Sequence, residues 1–529
     1  MTTEALRSSR RVGSVAPDWL AATIIGVLAG ALSFWGSWSI SLWTDEAATI
    51  SAIRRTPQQL VELLGHIDAV HGAYYLFLQQ WADVFGYSSA SLRLPSAFAV
   101  AVAAAGVYVL TRMFADQRVA LVAAGIFAVL PRTTWMGTEA RSFAFTAALA
   151  VWLTIVLVAV LRRRRWWLWV VYALLAALSI AINIFVALLL AAHLVTVLAT
   201  RRIGWGTRVA WAGASVVGVL LASPVVLVAT RQKGQLGDIE FGVVAWLRGF
   251  VVNQWFLGST PTPVYATTSG PSVWSVAAVL LAVVCWALAV WAVAAGTRAA
   301  LRRRQDGEAA LAGDDPDILS VVLPWIVIPP VLAGLYSALV SPLYNPRYFT
   351  FATPAIAILV GLGLCALPRL WLRVTAAVAI LVLAAPVYVS QRQPDAKSGT
   401  DWNAASAYIA GHAHVGDGVY FSPLHEPTGR IVGPTTRTMA IAYPSAFTGL
   451  VDATAERSPA QDASLTGTSA LLSDSGERLA SVDRLWVVRR DDYPAELARA
   501  DAAFLQREGF VRETTWHGTI DTVEEYVRR

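Results

Sequence analysis

The sequence has little charge and almost no cysteine. Only 14% of its 529 residues are charged. This low fraction excludes a chain made of several ordinary soluble domains, which its length alone would suggest. The two cysteines, Cys285 and Cys365, both lie within apolar runs. A disulfide framework or a thiolate metal site is therefore not expected, and both thiols are predicted to be small core side chains.

Apolar residues dominate instead, at 56% of the chain, with a mean hydropathy of +0.55. Many runs exceed the roughly 18 residues needed to cross a hydrocarbon core about 30 Å thick. The first run lacks a small-residue cleavage site, so we expect it to be retained as a helix. Together the runs predict an α-helical polytopic membrane protein with about eleven transmembrane helices, near residues 19–41, 91–110, 119–134, 142–161, 166–181, 183–199, 208–229, 272–296, 319–341, 348–366 and 374–391.

Basic residues follow every second apolar run, which indicates how the helices are oriented. With the N-terminus in the cytoplasm, the positive-inside rule places all these clusters on the cytoplasmic side. The clusters lie at 112–118, 162–165, 201–202, 298–304 and 369–373. The net charge of +6 is thus attributed to membrane anchoring, and no nucleic-acid partner is expected.

The stretch 166–199 has two interpretations. Two short helices with a turn near Asn183 would cross the membrane twice within 34 residues. One long tilted helix would cross once, leaving the C-terminal part in the cytoplasm. The single helix would also place Asp45 and Arg347 on opposite faces of the membrane, so the functional interpretation requires two helices.

The chain divides into a predicted membrane domain, residues 1–391, and a soluble extracytoplasmic α/β domain, residues 392–529. In the membrane domain, the outer segment 43–90 has helical spacing in two places and predicts helices lying in the membrane interface. Segment 231–271 is a second outer loop, and 298–317 a cytoplasmic linker. In the soluble domain, strands and helices alternate, which favours a partly parallel sheet. Its elements are predicted at 402–413 and 496–508 for helices and near 416–421, 484–489 and 510–516 for strands, with mainly loops over 428–480.

Two polar clusters lie in the first outer segment. Asp45 and Glu46 are either a hydrated pair at the start of an interfacial helix or a general base beside a helper carboxylate. His71 precedes Gly72, and is either a hydrogen-bonded interface residue or part of a pocket. Asp68 and His71 form a metal pair or only a local hydrogen bond, and their spacing is weak evidence for a metal.

Two further clusters follow later in the chain. Glu139 and Arg141 are two positions apart and would not face each other on a helix. Arg141 holds Glu139, Asp45 or an anionic ligand, or it is a flanking interface charge. Arg347 is a snorkelling anchor, or a guanidinium fork for phosphate at headgroup depth. Pro346 at the first helical position would leave backbone N–H groups free for that anion.

The order of these motifs resembles a known family. The chain is similar to the glycosyltransferase C superfamily over most of residues 40–420, in the branch of dolichyl-phosphate-mannose protein mannosyltransferases and lipid A aminoarabinose transferases. The motifs that carry the resemblance are Thr44-Asp45-Glu46, His71-Gly72-Ala73-Tyr74-Tyr75, Ser91-Leu92-Arg93-Leu94-Pro95-Ser96, Thr138-Glu139-Ala140-Arg141-Ser142-Phe143, Arg347-Tyr348-Phe349 and the stretch beginning Asp401-Trp402-Asn403.

The resemblance implies inverting sugar transfer from a polyprenyl-phosphate donor. It makes Asp45 the catalytic base with Glu46 alongside, and Arg347 the group that holds the departing phosphate. The implied substrate-binding residues are His71, Tyr74, Tyr75, Glu139, Arg141, Tyr344, Arg347 and Tyr348. Two departures from the family pattern are His71-Gly72-Ala73 in place of His-Pro-Pro and Thr138 in place of Gln.

We therefore expect a multi-pass plasma-membrane glycosyltransferase with its active site facing outward. The expected donor sugar is mannose, with arabinofuranose or another pentose next, and the acceptor a cell-envelope glycolipid, glycan or protein. Membrane lipids are expected partners, no cofactor is required, and a divalent metal stays open. The alternatives are a transporter or flippase of lipid-linked sugars, whose ionisable groups lie at the bilayer midplane, and a structural assembly subunit in which Asp45 is replaceable.

Overall fold

The structure is a computed structural model that describes residues 18–201, 203–232, 242–261, 272–305 and 316–529. Parts of the predicted outer loop 231–271 and of the predicted linker 298–317 lie outside these residues. Between residues 18 and 232, the regular structure of the described residues is helical. Its helices are α1 (Trp19–Phe34), α2 (Thr44–Ile53), α3 (Pro57–His66), α4 (Gly72–Phe85), α5 (Ser89–Arg112), α6 (Gln117–Val129), α7 (Pro131–Met136), α8 (Phe143–Arg163), α9 (Trp167–Ile182), α10 (Ala187–Ala199) and α11 (Trp205–Arg231).

Helices continue to residue 390. They are α12 (Val243–Arg248), α13 (Gln254–Phe256), α14 (Val273–Gln305), α15 (Ile318–Leu339), α16 (Thr353–Ala366) and α17 (Leu370–Ser390). Within the described residues, seven helices are long and apolar enough to cross a membrane. These are Ser89–Arg112, Phe143–Arg163, Trp205–Arg231, Val273–Arg302, Ile318–Leu339, Pro346–Ala366 and Leu370–Ser390.

The other four predicted spans are helical but shorter. Helices α1 and α9 have 16 residues each, and α6 has 13. At 1.5 Å per residue, 16 residues reach about 24 Å, less than a hydrocarbon core of about 30 Å. All eleven predicted apolar runs are helical, and their number as membrane-crossing helices stays a prediction.

The chain reverses at Asn183. The backbone of Asn183 is extended, which ends α9. Its side chain accepts a hydrogen bond from the backbone N–H of Phe185 and so caps the following helical turn. The Tyr172 hydroxyl is hydrogen-bonded to His193 Nδ1 at 2.9 Å, although 21 residues separate them. One continuous helix would hold them about 32 Å apart. The single long helix over 166–199 is therefore excluded.

The first outer segment contains three helices rather than two. Helices α3 and α4 lie at the two predicted places, and α3 starts with a capping box between Thr56 and Gln59. The additional helix is α2, whose first turn carries Asp45 and Glu46. Gly72 starts α4 so close to α3 that a side chain there would contact Leu64.

The C-terminal part contains eight strands and four α-helices among its described residues. The strands are β1 (Gly418–Phe421), β2 (Ile431–Val432), β3 (Val451–Asp452), β4 (Ala455–Arg457), β5 (Thr468–Ala470), β6 (Arg484–Arg490), β7 (Phe510–His517) and β8 (Asp521–Arg528). The helices are α18 (Trp402–His412), α19 (Thr438–Ala442), α20 (Gly476–Leu479) and α21 (Ala495–Arg507).

Five of these strands form a mixed sheet in the order β3-β1-β6-β8-β7. Strand β1 runs parallel to β3 and β6, whereas β8 is antiparallel to β6 and β7. Segment 428–480, for which the sequence predicts mainly loops, also forms a small second sheet, β2-β5-β4.

One hydrophobic cluster joins the two parts of the chain. It contains Ala47 and Ile50 of α2 together with Met439 and Ala442 of α19, all buried. Burial of shared apolar surface is the main force that holds packed elements together. The C-terminal part is therefore packed onto the outer segment and does not hang from α17 as a free module.

Close helix packing yields a first prediction. A Cβ at Gly363 of α16 would overlap the carbonyl oxygen of Leu288 in α14, whereas a Cβ at Gly125 of α6 would meet no atom within 4 Å. We expect Gly363→Ala to lower the free energy of unfolding by about 1–3 kcal/mol, because overpacking forces the helices apart. Thermal unfolding checks this, with Gly125→Ala as the matched control. Equal midpoints for the two variants would contradict the packing described here.

Candidate active site

The two adjacent carboxylates of α2 point to different surroundings. Glu46 is fully buried and forms a two-point ion pair with Arg93 of α5, at 2.8 Å and 2.5 Å. Its Oε1 also accepts from the backbone N–H of Ala140 at 2.9 Å. Glu46 therefore has no free oxygen for a substrate. Its predicted place beside the acceptor stays a prediction.

Arg93 is satisfied completely. Its Nε and Nη2 bind Glu46, and its remaining N–H groups donate to the carbonyl oxygens of residues 37, 40 and 41, at 2.5–2.9 Å. All five guanidinium donors are thus used, which is what a fully buried arginine requires. These bonds fix the non-helical stretch before α2.

Asp45 faces the opposite way and meets two arginines. Its Oδ2 accepts from Arg347 Nη1 at 2.6 Å, and Arg141 Nε lies 4.0 Å away. The Asp45 side chain is 19% exposed and that of Arg347 28%, so both can be reached from outside. The guanidinium of Arg347 lies 5.8 Å from the ring of Trp43 and 5.5 Å from that of Tyr348. Residues 302 positions apart therefore meet, as the sequence predicts for the two-helix interpretation.

A hydrogen-bonded row supports Arg141. Its Nη1 donates to the Tyr75 hydroxyl at 2.8 Å, and that hydroxyl donates to Asp68 Oδ2 at 2.6 Å. Asp68 is thus occupied by Tyr75. The His71 ring lies 5.8 Å from that of Tyr75, and its buried Nδ1 has no hydrogen-bond partner within the described part of the chain. Burial, followed by the charge of Arg141, lowers the pKa of His71 to about 4, so the imidazole is neutral at pH 7.

Three predicted substrate-binding residues have side chains that contact other side chains of the protein. Tyr74 is fully buried against Phe145. The Tyr344 hydroxyl donates to Gln254 at 2.9 Å, and the Tyr348 ring stacks on Phe185. Of these, only Tyr348 also contacts Arg347. The backbone N–H of Arg347 is not free for an anion either, because it donates to the Asn345 side chain at 3.2 Å.

Glu139 is also committed to internal contacts. It is fully buried, its Oε1 accepts from Lys397 Nζ, and its Oε2 accepts from the indole N–H of Trp43 at 3.0 Å. Lys397 donates further to the Thr138 hydroxyl at 3.0 Å. Both carboxylate oxygens of Glu139 are thus bonded to protein groups, and its binding of sugar or phosphate stays a prediction.

These residues do not present a metal site. Within the ranges that the structure describes, no group of three or more His, Cys, Asp or Glu side chains could hold a metal ion. Asp45 already faces two guanidinium groups, and their positive charge opposes a further cation at this position.

Two residues important for this geometry were not assigned from the sequence. Arg93 lies within a quoted motif, but nothing in that motif indicates its partner. Lys397 is one of only two lysines in the sequence, and the other cationic side chains are arginines. The rarity of lysine is a signal that could have drawn attention to this residue. Its partner Glu139 is 258 positions away, a separation that no local pattern can bridge.

The different surroundings of the two carboxylates yield a second prediction. We expect Glu46→Gln to lower the free energy of unfolding by about 3–5 kcal/mol, because Arg93 would remain buried with its charge uncompensated. Asp45→Asn is the control, and should change it by about 1 kcal/mol or less, since that pair is partly exposed. Thermal unfolding in the same detergent compares them. A reversed order would show that the roles of the two carboxylates are exchanged.

Comparisons with known proteins agree with this architecture. A family model described as dolichyl-phosphate-mannose-protein mannosyltransferase matches residues 73–227. No curated protein sequence matches the chain.

Among solved structures, ArnT from Cupriavidus metallidurans bound to undecaprenyl phosphate is similar with a TM-score of 0.50 and 13% identity, over 97% of this chain and 98% of that one. The apo oligosaccharyltransferase of Archaeoglobus fulgidus has a TM-score of 0.47 and 14% identity, over 92% and 71%. The arabinofuranosyltransferase AftD from Mycobacteria has 0.45 and 16%, over 97% and 42%. At these identities the likeness concerns the fold, and it is the ArnT match that carries it. The chain therefore shares the fold of ArnT, in agreement with the resemblance that its ordered motifs carry.

Proposed function

We propose that this protein is an inverting membrane glycosyltransferase that moves a sugar from a polyprenyl-phosphate donor to an acceptor hydroxyl. The contact between Asp45 and Arg347 carries the proposal. A carboxylate suited to take a proton and a guanidinium suited to hold a phosphate meet where both are partly exposed. The structure of ArnT with undecaprenyl phosphate supports a lipid-phosphate ligand for this fold.

Asp45 acts as the general base. The acceptor oxygen attacks the anomeric carbon from the face opposite the phosphate, and its proton passes to the Asp45 carboxylate. As the new C–O bond forms, the bond between the anomeric carbon and the phosphate oxygen breaks, which inverts the configuration. Arg141, 4.0 Å from Asp45 and held by Tyr75, keeps the carboxylate in place.

Arg347 holds the phosphate. The leaving group gains negative charge as the bond breaks, and a fixed guanidinium stabilises it at that moment. In this structure Arg347 donates a hydrogen bond to Asp45. On donor binding, the phosphate replaces the Asp45 carboxylate as the partner of Arg347. Donor binding thereby also frees the Asp45 carboxylate for the acceptor hydroxyl. Trp43 and Tyr348 flank the guanidinium and limit its movement.

We propose mannose as the transferred sugar, supported by the family match over residues 73–227, with arabinofuranose as the alternative. The acceptor is a cell-envelope glycolipid, polysaccharide or protein. The positive-inside pattern supports an active site and C-terminal part on the outer face of the plasma membrane. A transporter would place its ionisable groups at the middle of long helices, whereas Asp45 lies in the first turn of a short one.

A third prediction tests the base. We expect Asp45→Asn to reduce transfer about 10²-fold or more, because general-base assistance of this kind is lost. Protein in lipid nanodiscs is incubated with radiolabelled polyprenyl-phosphate mannose or arabinofuranose and envelope acceptors. Asp83→Asn, an exposed carboxylate on α4 bonded only to Tyr87, is the control and should retain full transfer. Normal transfer by Asp45→Asn would assign the base to another group.

A fourth prediction tests the phosphate contact. We expect Arg347→Met to weaken donor binding about ten- to hundredfold and to slow transfer, because charged hydrogen bonds to the phosphate are lost. The donor KM and the Kd of polyprenyl phosphate measure this effect. Arg54→Met removes an exposed arginine that lies over the ring of Tyr87, and should leave both constants unchanged. An unaltered Kd in Arg347→Met would reduce Arg347 to a membrane anchor.

A further inference from the structure

The stretch that leads to Asp45 has no regular structure of its own. We call residues 39–43, between α1 and α2, the approach segment. Its last residue, Trp43, is the N-cap of α2, and no side chain caps this helix. Since Asp45 lies two residues further on, its position depends on how the approach segment is held. On the membrane side, Arg93 binds the carbonyl oxygens of Ile40 and Ser41.

The other side of the approach segment is held by the C-terminal part of the chain. The backbone N–H of Ser41 donates to the carbonyl oxygen of Pro394 at 2.8 Å, and that of Leu42 donates to the Tyr443 hydroxyl at 2.7 Å. Two consecutive N–H groups of the approach segment are therefore satisfied by residues far along the chain, whereas that of Ser39 donates locally to Gly36.

Trp43 is reached indirectly. Lys397 and Glu139 form an ion pair with side-chain exposures of 1% and 0%, and Glu139 binds the indole N–H of Trp43. Burying two charges costs more free energy than an apolar pair of similar volume, so such a pair is weak evidence for stability alone. Here it directs a carboxylate oxygen at Trp43, whose ring faces Arg347 and whose backbone starts the helix of Asp45.

We infer that Lys397 is a positioning residue for the active site, and that the C-terminal part of the chain serves to hold the approach segment. This inference rests on the proposed function, in which Asp45 is the base and Arg347 binds phosphate. Lys397 itself touches neither substrate. It fixes Glu139, Glu139 fixes Trp43, and Trp43 sets the positions of both reacting side chains. A misplacement of about 1 Å at such a site costs up to about a hundredfold in rate.

The test uses the full chain in nanodiscs and three variants: Lys397→Met, Lys397→Met with Glu139→Gln, and Trp43→Phe. Lys397→Met leaves a buried carboxylate unpaired, so both its unfolding midpoint and its kcat should fall. The double variant removes both charges, so its midpoint should return to within a few degrees of the wild type. We expect its kcat to stay at least about tenfold low, with the donor KM changed by less than about twofold.

Trp43→Phe keeps the ring near Arg347 but removes the indole N–H. We expect the same loss of kcat in a fully folded protein, and no further loss when it is combined with the double variant, because all these changes interrupt one chain of contacts. Arg489→Met is the control for the loss of a buried ion pair: Arg489 pairs with Glu524 inside the C-terminal sheet. It should lower the unfolding midpoint and leave the kcat of the folded protein unchanged.

Hydrogen exchange of residues 44–53 provides a readout without turnover, and should be faster in the double variant and in Trp43→Phe. A double variant with wild-type kcat and wild-type exchange would overturn the inference, and so would an unaltered kcat in Trp43→Phe. A wild-type protein that transfers no sugar from any donor would instead overturn the proposed function. In that case the exchange data still decide whether Lys397 holds the approach segment.

Discussion

The ion pair between Arg93 and Glu46 is the constraint on which the site depends. An arginine buried in an apolar protein must find partners for five N–H groups, and here each of them is used. Three of the partners are carbonyl oxygens of the non-helical stretch before α2. The requirement of one buried cation therefore shapes the backbone that presents Asp45, and it explains why a chain with so few charges places one of them there.

The ion pairs around the site differ in how far their side chains are exposed to solvent. Glu46 with Arg93 and Glu139 with Lys397 are sealed from water, whereas Asp45 with Arg347 is partly open. Sealed pairs whose carboxylate oxygens are all bonded to protein groups hold neighbouring groups in one arrangement. The open pair can exchange partners. The two sealed pairs can therefore keep the geometry of the site while Asp45 and Arg347 move apart and pair again.

The sequence predicted the parts of this structure that follow from local patterns. Apolar runs predicted the helices, and basic clusters at every second run predicted a reversal at Asn183 and the meeting of Asp45 with Arg347. The contacts of Glu46 and Glu139 could not be predicted, because adjacent or similar carboxylates look alike in a sequence. Their partners Arg93 and Lys397 are set only by the tertiary fold. The exact ends of the shorter apolar helices could not be predicted either, since composition gives no sharp boundary at residues such as Pro131.

The Lys397 contact has a consequence for how the protein is made. The approach segment leaves the ribosome early, but Pro394, Lys397 and Tyr443, which complete its hydrogen bonds, are synthesised only after all the membrane helices. Helices of the bundle can pack as they emerge, since domains fold largely in the order of synthesis. Residue 43 must nevertheless wait for residue 397. A chain that ends before residue 394 therefore lacks all three of these contacts, and the position of Asp45 depends on the synthesis of the C-terminal part.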